Sequence, residues 1–136
     1  MALQIKKASR ELVFTKIALM GASGSGKTYS ALRLAKGMSE ALKPILGRDA
    51  KTIMFNTEST RGLYYANEFE YDIVNIDAPH HPEKYVEAIN DVVKLGYDIL
   101  IIDSTSHEWM GSGGCLELQQ LAGGTYQAWA KVTPRH

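Results

Sequence analysis

The segment GASGSGKT, residues 21–28, is the feature of this sequence that most restricts the fold. It separates an apolar run, FTKIALM at 14–20, from a stretch in which apolar residues recur at helical spacing. This succession predicts a buried strand, a tight glycine-rich turn and an amphipathic helix. Such a turn leaves backbone N–H groups pointing inward, so it favours an anion site at the start of the helix.

The spacing G-x-x-x-x-G-K-[ST] indicates which anion is expected. It is the pattern of a phosphate-binding loop, the Walker A motif, in which Lys27 bridges the β- and γ-phosphates and the Thr28 hydroxyl ligates Mg2+. The sequence therefore predicts a bound nucleoside triphosphate, either ATP or GTP, together with Mg2+. The residues predicted to contact the nucleotide are Gly21, Ala22, Ser23, Gly24, Ser25, Gly26, Lys27, Thr28 and Tyr29.

The rest of the chain alternates strand patterns with helix patterns. Strands are predicted at 52–56, 71–77 and 97–104, and helices at 28–42, 63–69, 82–96, 115–121 and 125–132. The last strand, YDILIIDS, is apolar throughout its middle, which favours burial on both faces of a parallel sheet. The sequence thus predicts one α/β domain over residues 1–136, with a mostly parallel central sheet.

Length and composition limit the alternatives. A chain of 136 residues suits one domain, and its fifteen basic and fifteen acidic residues give no overall attraction to nucleic acid. The longest apolar runs fall far short of the roughly 20 residues of a membrane helix, and the N-terminus lacks a signal-peptide pattern. We therefore expect a cytoplasmic protein without a membrane partner. The single Cys115 can form neither an internal disulfide nor, by itself, a cysteine-based metal site.

Acidic residues follow two of the predicted strands. Asp103 ends the run DILIID and is expected to hold Mg2+ beside Thr28. Glu58 follows the strand TIMFN, at the sheet edge where ligands bind in α/β folds, and is favoured as the group that orients or deprotonates water. Glu108, five residues beyond Asp103, is the alternative for that role. Glu58 and Lys27 are thus the predicted catalytic residues.

The combination of GASGSGKT, a strand ending in FNTE and a strand ending in IIDS resembles the RecA-type recombinase ATPases. It looks most like short, core-only, phage-encoded relatives described as AAA-family ATPases or phage nucleotide-binding proteins, in which segments like GSGKTYSAL, IIDSTSHEW and AWAKVTPRH recur. The resemblance covers about Phe14 to His136. It implies a three-layer, RecA-like P-loop NTPase that hydrolyses ATP with Mg2+ during single-stranded DNA recombination or annealing, in the cytoplasm of a bacterial host.

The resemblance also carries individual positions. It assigns Asp103 to the Walker B metal site and Glu58 to the attacking water, and it places Tyr65 where recombinase ATPases stack a tyrosine on adenine, with Tyr64 as the fallback. It further implies a strand after Asp103, lying between that strand and the phosphate-loop strand. No such strand pattern occurs before His136. We therefore expect a C-terminally truncated core with an incomplete sheet, poorly active and pairing or exchanging strands in a homo-oligomer.

Two other functions are compatible with a phosphate loop. A small-molecule or nucleotide kinase ordinarily closes an arginine-rich lid over its substrates, whereas the arginines of this chain are scattered. A nucleotide-binding module that does not hydrolyse its ligand is the third hypothesis.

Two further segments are interpreted as loops. The pair His80 and His81 lies between prolines, and is interpreted as a solvated loop or a helix entry rather than a zinc site. Trp109, Met110 and the glycines at 111, 113 and 114 are interpreted as a mobile loop at the ligand edge.

Overall fold

The computed structural model describes residues 14–58 and 61–136. Its helices are α1 (Lys27–Leu46), α2 (Pro82–Lys94), α3 (Ser106–Met110), α4 (Cys115–Leu121) and α5 (Trp129–Val132). Its strands are β1 (Thr52–Asn56), β2 (Asp72–Asn75) and β3 (Ile99–Asp103). Short 3-10 turns cover Arg61–Leu63, Tyr126–Ala128 and Thr133–Arg135. Within these ranges, none of the helices combines the length and apolarity needed to cross a membrane.

The three strands form one parallel sheet in the order β2-β1-β3. β1 is central, and its last residue, Asn56, lies opposite Asn75 on β2 and Asp103 on β3. Because all strands run in the same direction, their carboxyl ends meet at one edge, where loops can present functional groups. The predicted α/β architecture with a parallel sheet is confirmed at this level.

Helices cover the two faces of the sheet. On one face, side chains of β1 and α2, together with Ile76 just beyond β2, form a buried cluster consisting of Ile53, Phe55, Ile76, Tyr85 and Val92, which Leu100 and Ile102 of β3 extend. Because side chains alternate along a strand, Asp103 points to the opposite face. There the Thr28 hydroxyl at the start of α1 hydrogen-bonds it. α1 buries Leu32 and Ala35, so the sheet lies between α1 and α2.

The apolar run 14–20 takes no part in the sheet, so its prediction as a strand was wrong. Phe14 and Met20 are 93% and 94% exposed. Apolar side chains alone do not make a strand, because the backbone must also reach an edge with free N–H and C=O groups in register. In the described part of the chain β3 pairs with β1 alone, and its outer edge carries no strand.

The open edge also explains the burial of β3. Ile99 is buried, but the residues from Leu100 to Asp103 are only half-buried. The prediction that this strand is covered on both faces was therefore wrong. A fully buried parallel strand needs neighbours on both sides as well as helices above and below.

Two local predictions also need correction. α1 does not end at Lys43-Pro44 but continues to Leu46, because a proline in the last turn removes only one helical hydrogen bond. Gly47 then ends the helix with φ +69° and donates its N–H to the Lys43 carbonyl at 2.9 Å.

The helix predicted over 63–69 is instead a series of turns. One α-type hydrogen bond, from the Phe69 N–H to the Tyr65 carbonyl, is too little for a stable helix.

Two glycines of α1 give opposite predictions for stability. An added Cβ meets no atom within 4 Å at either Gly37, inside the helix, or Gly47, the left-handed cap. We expect Gly37→Ala to raise the free energy of unfolding by about 0.5–1 kcal/mol, because alanine has the higher helix propensity. Gly47→Ala should lower it by about 1–2 kcal/mol through left-handed strain. Urea unfolding of both variants measures this, and equal signs for the two changes would contradict the assignment of the cap.

Candidate functional site

The predicted phosphate loop is shaped by two glycines with positive φ. Gly24 and Gly26 adopt φ +77° and +89°, which L side chains rarely tolerate. Gly26 directly precedes α1, so the first backbone N–H groups of a 20-residue helix face the loop. No acidic residue occupies the first turn of α1, and the positive end of its dipole is not neutralised there. The loop and helix start therefore suit an anion.

The Lys27 side chain folds back over this loop. Its Nζ donates hydrogen bonds to the carbonyl oxygens of Gly21 and Ala22, at 2.6 and 2.8 Å. The loop is tight at Gly21, where an added Cβ would lie 2.5 Å from the Ser25 Oγ. The ammonium group is thus held at the loop, where phosphate oxygens can replace the two carbonyls as acceptors.

Thr28 and Asp103 meet at the carboxyl end of β3. The Thr28 Oγ1 donates a hydrogen bond of 2.6 Å to Asp103 Oδ2, joining residues 75 positions apart in the chain. Mg2+ binds oxygen ligands at about 2.0–2.1 Å, so two neighbouring ligands lie about 3 Å apart. The two oxygens therefore fit adjacent positions of one Mg2+ coordination sphere after a small separation.

Glu58 lies on the adjacent strand connection. It follows the end of β1 by two residues, and its N–H donates to Asn56 Oδ1 at 3.2 Å. Thr57 fastens this segment to β3, since its N–H donates to the Asp103 carbonyl at 2.9 Å. Glu58 and Asp103 thus stand at the same edge of the sheet, at the ends of neighbouring strands.

Thr57 is a residue that the sequence analysis missed. Its Oγ1 lies 2.8 Å from His107 Nδ1 and accepts a hydrogen bond of 2.9 Å from the Ser104 N–H. It therefore links the ends of β1 and β3 to the start of α3. The available signal was a hydroxyl residue directly after a buried strand and before Glu58.

Glu108, the alternative to Glu58, is directed elsewhere. It belongs to α3, it is buried, and its Oε1 lies 2.6 Å from His136 Nδ1 and 3.4 Å from Cys115 Sγ. Burial together with Glu108 raises the pKa of Cys115 to about 11, so the thiol is protonated at neutral pH. These contacts tie Glu108 to α4 and to His136. Glu58 is therefore the better-placed candidate for the predicted role of orienting a water molecule.

Tyr65 packs against the first turn of α1. Its ring contacts Tyr29 edge-on, with centroids 5.6 Å apart, and Phe69 contacts the same Tyr29 ring at 5.5 Å. Tyr64 touches only the Tyr65 ring among these aromatics and is 79% exposed. The predicted base-stacking residue is therefore near the phosphate loop, and it shares an aromatic surface with Tyr29.

His80 lies in the loop between β2 and α2 as predicted, but it is buried, so the expectation that it is solvated was wrong. Its Nδ1 lies 3.0 Å from the Tyr85 hydroxyl, and its ring lies 5.2 Å from that of His107. Burial lowers the pKa of His80, with smaller effects from His107 and Lys84, and burial raises the pKa of Tyr85 to about 12. His81 is the residue before α2, as the helix-entry interpretation expects.

The glycine-rich stretch after Met110 forms a close-packed loop; the loop interpretation is confirmed for residues 111–114 and was wrong for Trp109 and Met110, which belong to α3. An added Cβ would lie 2.5 Å from the His107 carbonyl at Gly111 and 2.6 Å from Pro79 at Gly113. Trp109 itself belongs to α3 and stacks on Trp129, with centroids 5.5 Å apart and planes at 8°. Glycines here allow close approach of chain segments.

Comparisons with family models, with curated proteins and with solved structures found no match to this chain. The geometry of the site therefore carries the functional argument. It brings Lys27, Thr28 and Asp103 together and places Glu58 and Tyr65 nearby on separate elements.

The burial of His80 predicts a pH dependence of stability. Its pKa in the folded chain lies below the value of about 6.5 expected when unfolded, so the unfolded state takes up a proton first as the pH falls. The stabilisation is fully present above about pH 6.5 and is lost as the pH falls through the folded pKa. In His80→Gln, the decline in unfolding free energy between about pH 7 and 5 should be shallower. Urea unfolding across this range tests it, and parallel curves would contradict it.

Proposed function

We propose that this chain is a RecA-like P-loop domain that binds ATP with Mg2+ and that serves hydrolysis coupled to single-stranded DNA recombination or annealing. The observation that supports this best is the contact between Thr28 and Asp103, beside a glycine loop over which Lys27 is folded. A Gly-Lys-Thr turn without function would not require its threonine to meet the acidic end of a distant strand. The hydrolysis step and the single-stranded DNA partner are proposed from the resemblance to recombinase ATPases.

Each residue has a defined task in this proposal. The N–H groups of the loop and of α1 surround the phosphates, and the Lys27 ammonium replaces its two carbonyl acceptors by phosphate oxygens. Thr28 and Asp103 hold Mg2+, which when bound offsets charge on the β- and γ-phosphates. Glu58 orients the attacking water and accepts its proton.

The base and the DNA are assigned to aromatic surfaces. Tyr65 stands beside Tyr29 at the start of α1, where a ring can stack on adenine. Trp109 is 39% exposed, belongs to the helix that follows Asp103 closely, and stacks on Trp129. Aromatic side chains of this kind stack on unpaired bases without sequence preference. Because the net charge of the chain is zero, we expect stacking to contribute more to DNA binding than overall electrostatic attraction does.

Nucleotide binding provides the first test. Lys27→Ala and Asp103→Asn should each weaken Mg2+–ATP binding by about 10- to 100-fold, because a hydrogen bond to a charged group contributes about 1.5–3 kcal/mol. Lys36→Ala removes an exposed lysine on α1 and should bind as the wild type does. Isothermal titration calorimetry of all four proteins measures this. Equal affinities of Lys27→Ala and Lys36→Ala would contradict the site.

Turnover provides the second test, with and without single-stranded DNA. Glu58→Gln should retain nucleotide binding and lose about 100-fold or more of its ATPase rate, because general-base catalysis contributes about 10²–10⁴-fold. Glu87→Gln, exposed on α2, is the matched control.

Three outcomes would change the proposal. A larger loss in Glu108→Gln than in Glu58→Gln would move the base to Glu108. Turnover that requires a small acceptor would favour a kinase, and binding without turnover would favour a non-hydrolysing module.

A further inference from the structure

Three side chains that can ligate metals converge beyond α3. Glu108 of α3, Cys115 at the start of α4 and His136 place one ligand atom each within 4.8 Å of the others. The Cys115 Sγ lies 3.4 Å from Glu108 Oε1 and 3.5 Å from His136 Nδ1, and the last two atoms are 2.6 Å apart. The nucleotide proposal uses none of these contacts.

The spacing of these atoms matches a tetrahedral site. Zn2+ binds sulfur at about 2.3 Å, imidazole nitrogen at about 2.0–2.1 Å and carboxylate oxygen at about 2.0–2.2 Å. At tetrahedral angles these bond lengths separate neighbouring ligand atoms by about 3.3–3.6 Å. Both distances from Cys115 Sγ already have this length. Only Glu108 and His136 would need to separate, by less than about 1 Å.

The surrounding contacts hold the three ligands in place. Cys115 is fully buried, and Gly114, the residue before it, approaches the Glu108 carbonyl so closely that an added Cβ would lie 2.6 Å away. Arg135, the residue before His136, forms a two-point ion pair with Glu83 of α2, and the longer of the two contacts is 3.1 Å. This ion pair helps to position His136. The Trp109 ring packs edge-on against the His136 imidazole at 5.6 Å.

We infer that Glu108, Cys115 and His136 form a binding site for one transition-metal cation of the Zn2+ type. The thiol gives up its proton when the cation binds, and the resulting thiolate and carboxylate together balance the divalent charge. Thiolate and imidazole select Zn2+-type ions over Mg2+, so this site differs in ligand chemistry from the oxygen pair Thr28 and Asp103. The side chain of His136 is 53% exposed, which leaves an entry path and a fourth position for water.

The inference does not depend on nucleotide binding and is tested without nucleotide. Co2+ is titrated into the metal-free protein, without an affinity tag, and absorption is recorded. Because Cys115 is the only cysteine of the chain, a sulfur-to-cobalt charge-transfer band reports this site alone. We expect that band, together with the visible bands of tetrahedral Co2+, to saturate at one equivalent and to disappear when Zn2+ is added, since Zn2+ binds tetrahedral thiolate sites more tightly.

Substitutions assign the ligands. His136→Ala and Glu108→Gln should each weaken Co2+ binding by at least tenfold, whereas Glu87→Gln on α2 should leave it unchanged. The side chain of His136 is 53% exposed, so its substitution leaves no cavity in the core. Absence of the charge-transfer band at saturating Co2+, or wild-type affinity in His136→Ala, would overturn the inference.

Discussion

The hydrogen bond between Thr28 and Asp103 connects the two parts of the molecule on which the proposed function depends. The apolar run 14–20 lies outside the sheet, so the predicted phosphate loop is not carried on a paired strand. The loop is positioned instead by α1, the helix that follows it. In the first turn of α1, the Thr28 hydroxyl lies 2.6 Å from Asp103 at the end of β3, and further along the helix Leu32 and Ala35 are buried. Without this bond the glycine loop and the carboxyl end of β3 would not be held together, and the Mg2+ site proposed above could not form.

The parts of the fold that the sequence predicted well are those with local causes. β1 follows from a short apolar run, and α2 from proline at its first position, a one-sided apolar pattern and a stop near Gly96. The strand expected at 14–20 failed because strand formation depends on a partner edge that no local pattern encodes. The end of α1 failed for a smaller reason, since a proline in the last turn is tolerated when Gly47 provides the cap.

The candidate site divides in the same way. The closeness of Thr28 and Asp103 was predictable, because one follows a glycine-rich turn at a fixed spacing and the other ends an apolar strand of the same sheet. Thr57 and the group formed by Cys115 and His136 were not, because their partners are distant in the chain and follow no spacing rule. The sequence presents Cys115 as a single thiol. The packing of α3 against α4 brings it to the Glu108 carboxylate, and the end of the described chain brings it to the His136 imidazole.

α3 joins these two regions through consecutive residues. His107 contacts Thr57, which directly follows β1 and forms hydrogen bonds at the end of β3. Glu108, the next residue, contacts Cys115 and His136. α3 has only five residues, so His107 and Glu108 share one short stretch of backbone. Gly111 and Gly114 pack against the carbonyl oxygens of these two residues, so a shift of the helix would disturb both sets of contacts. The contacts at the carboxyl edge of the sheet and the position of His136 are therefore set by the same short helix. This explains why His107 and Glu108, neighbours in the chain, are both engaged in contacts that bridge elements.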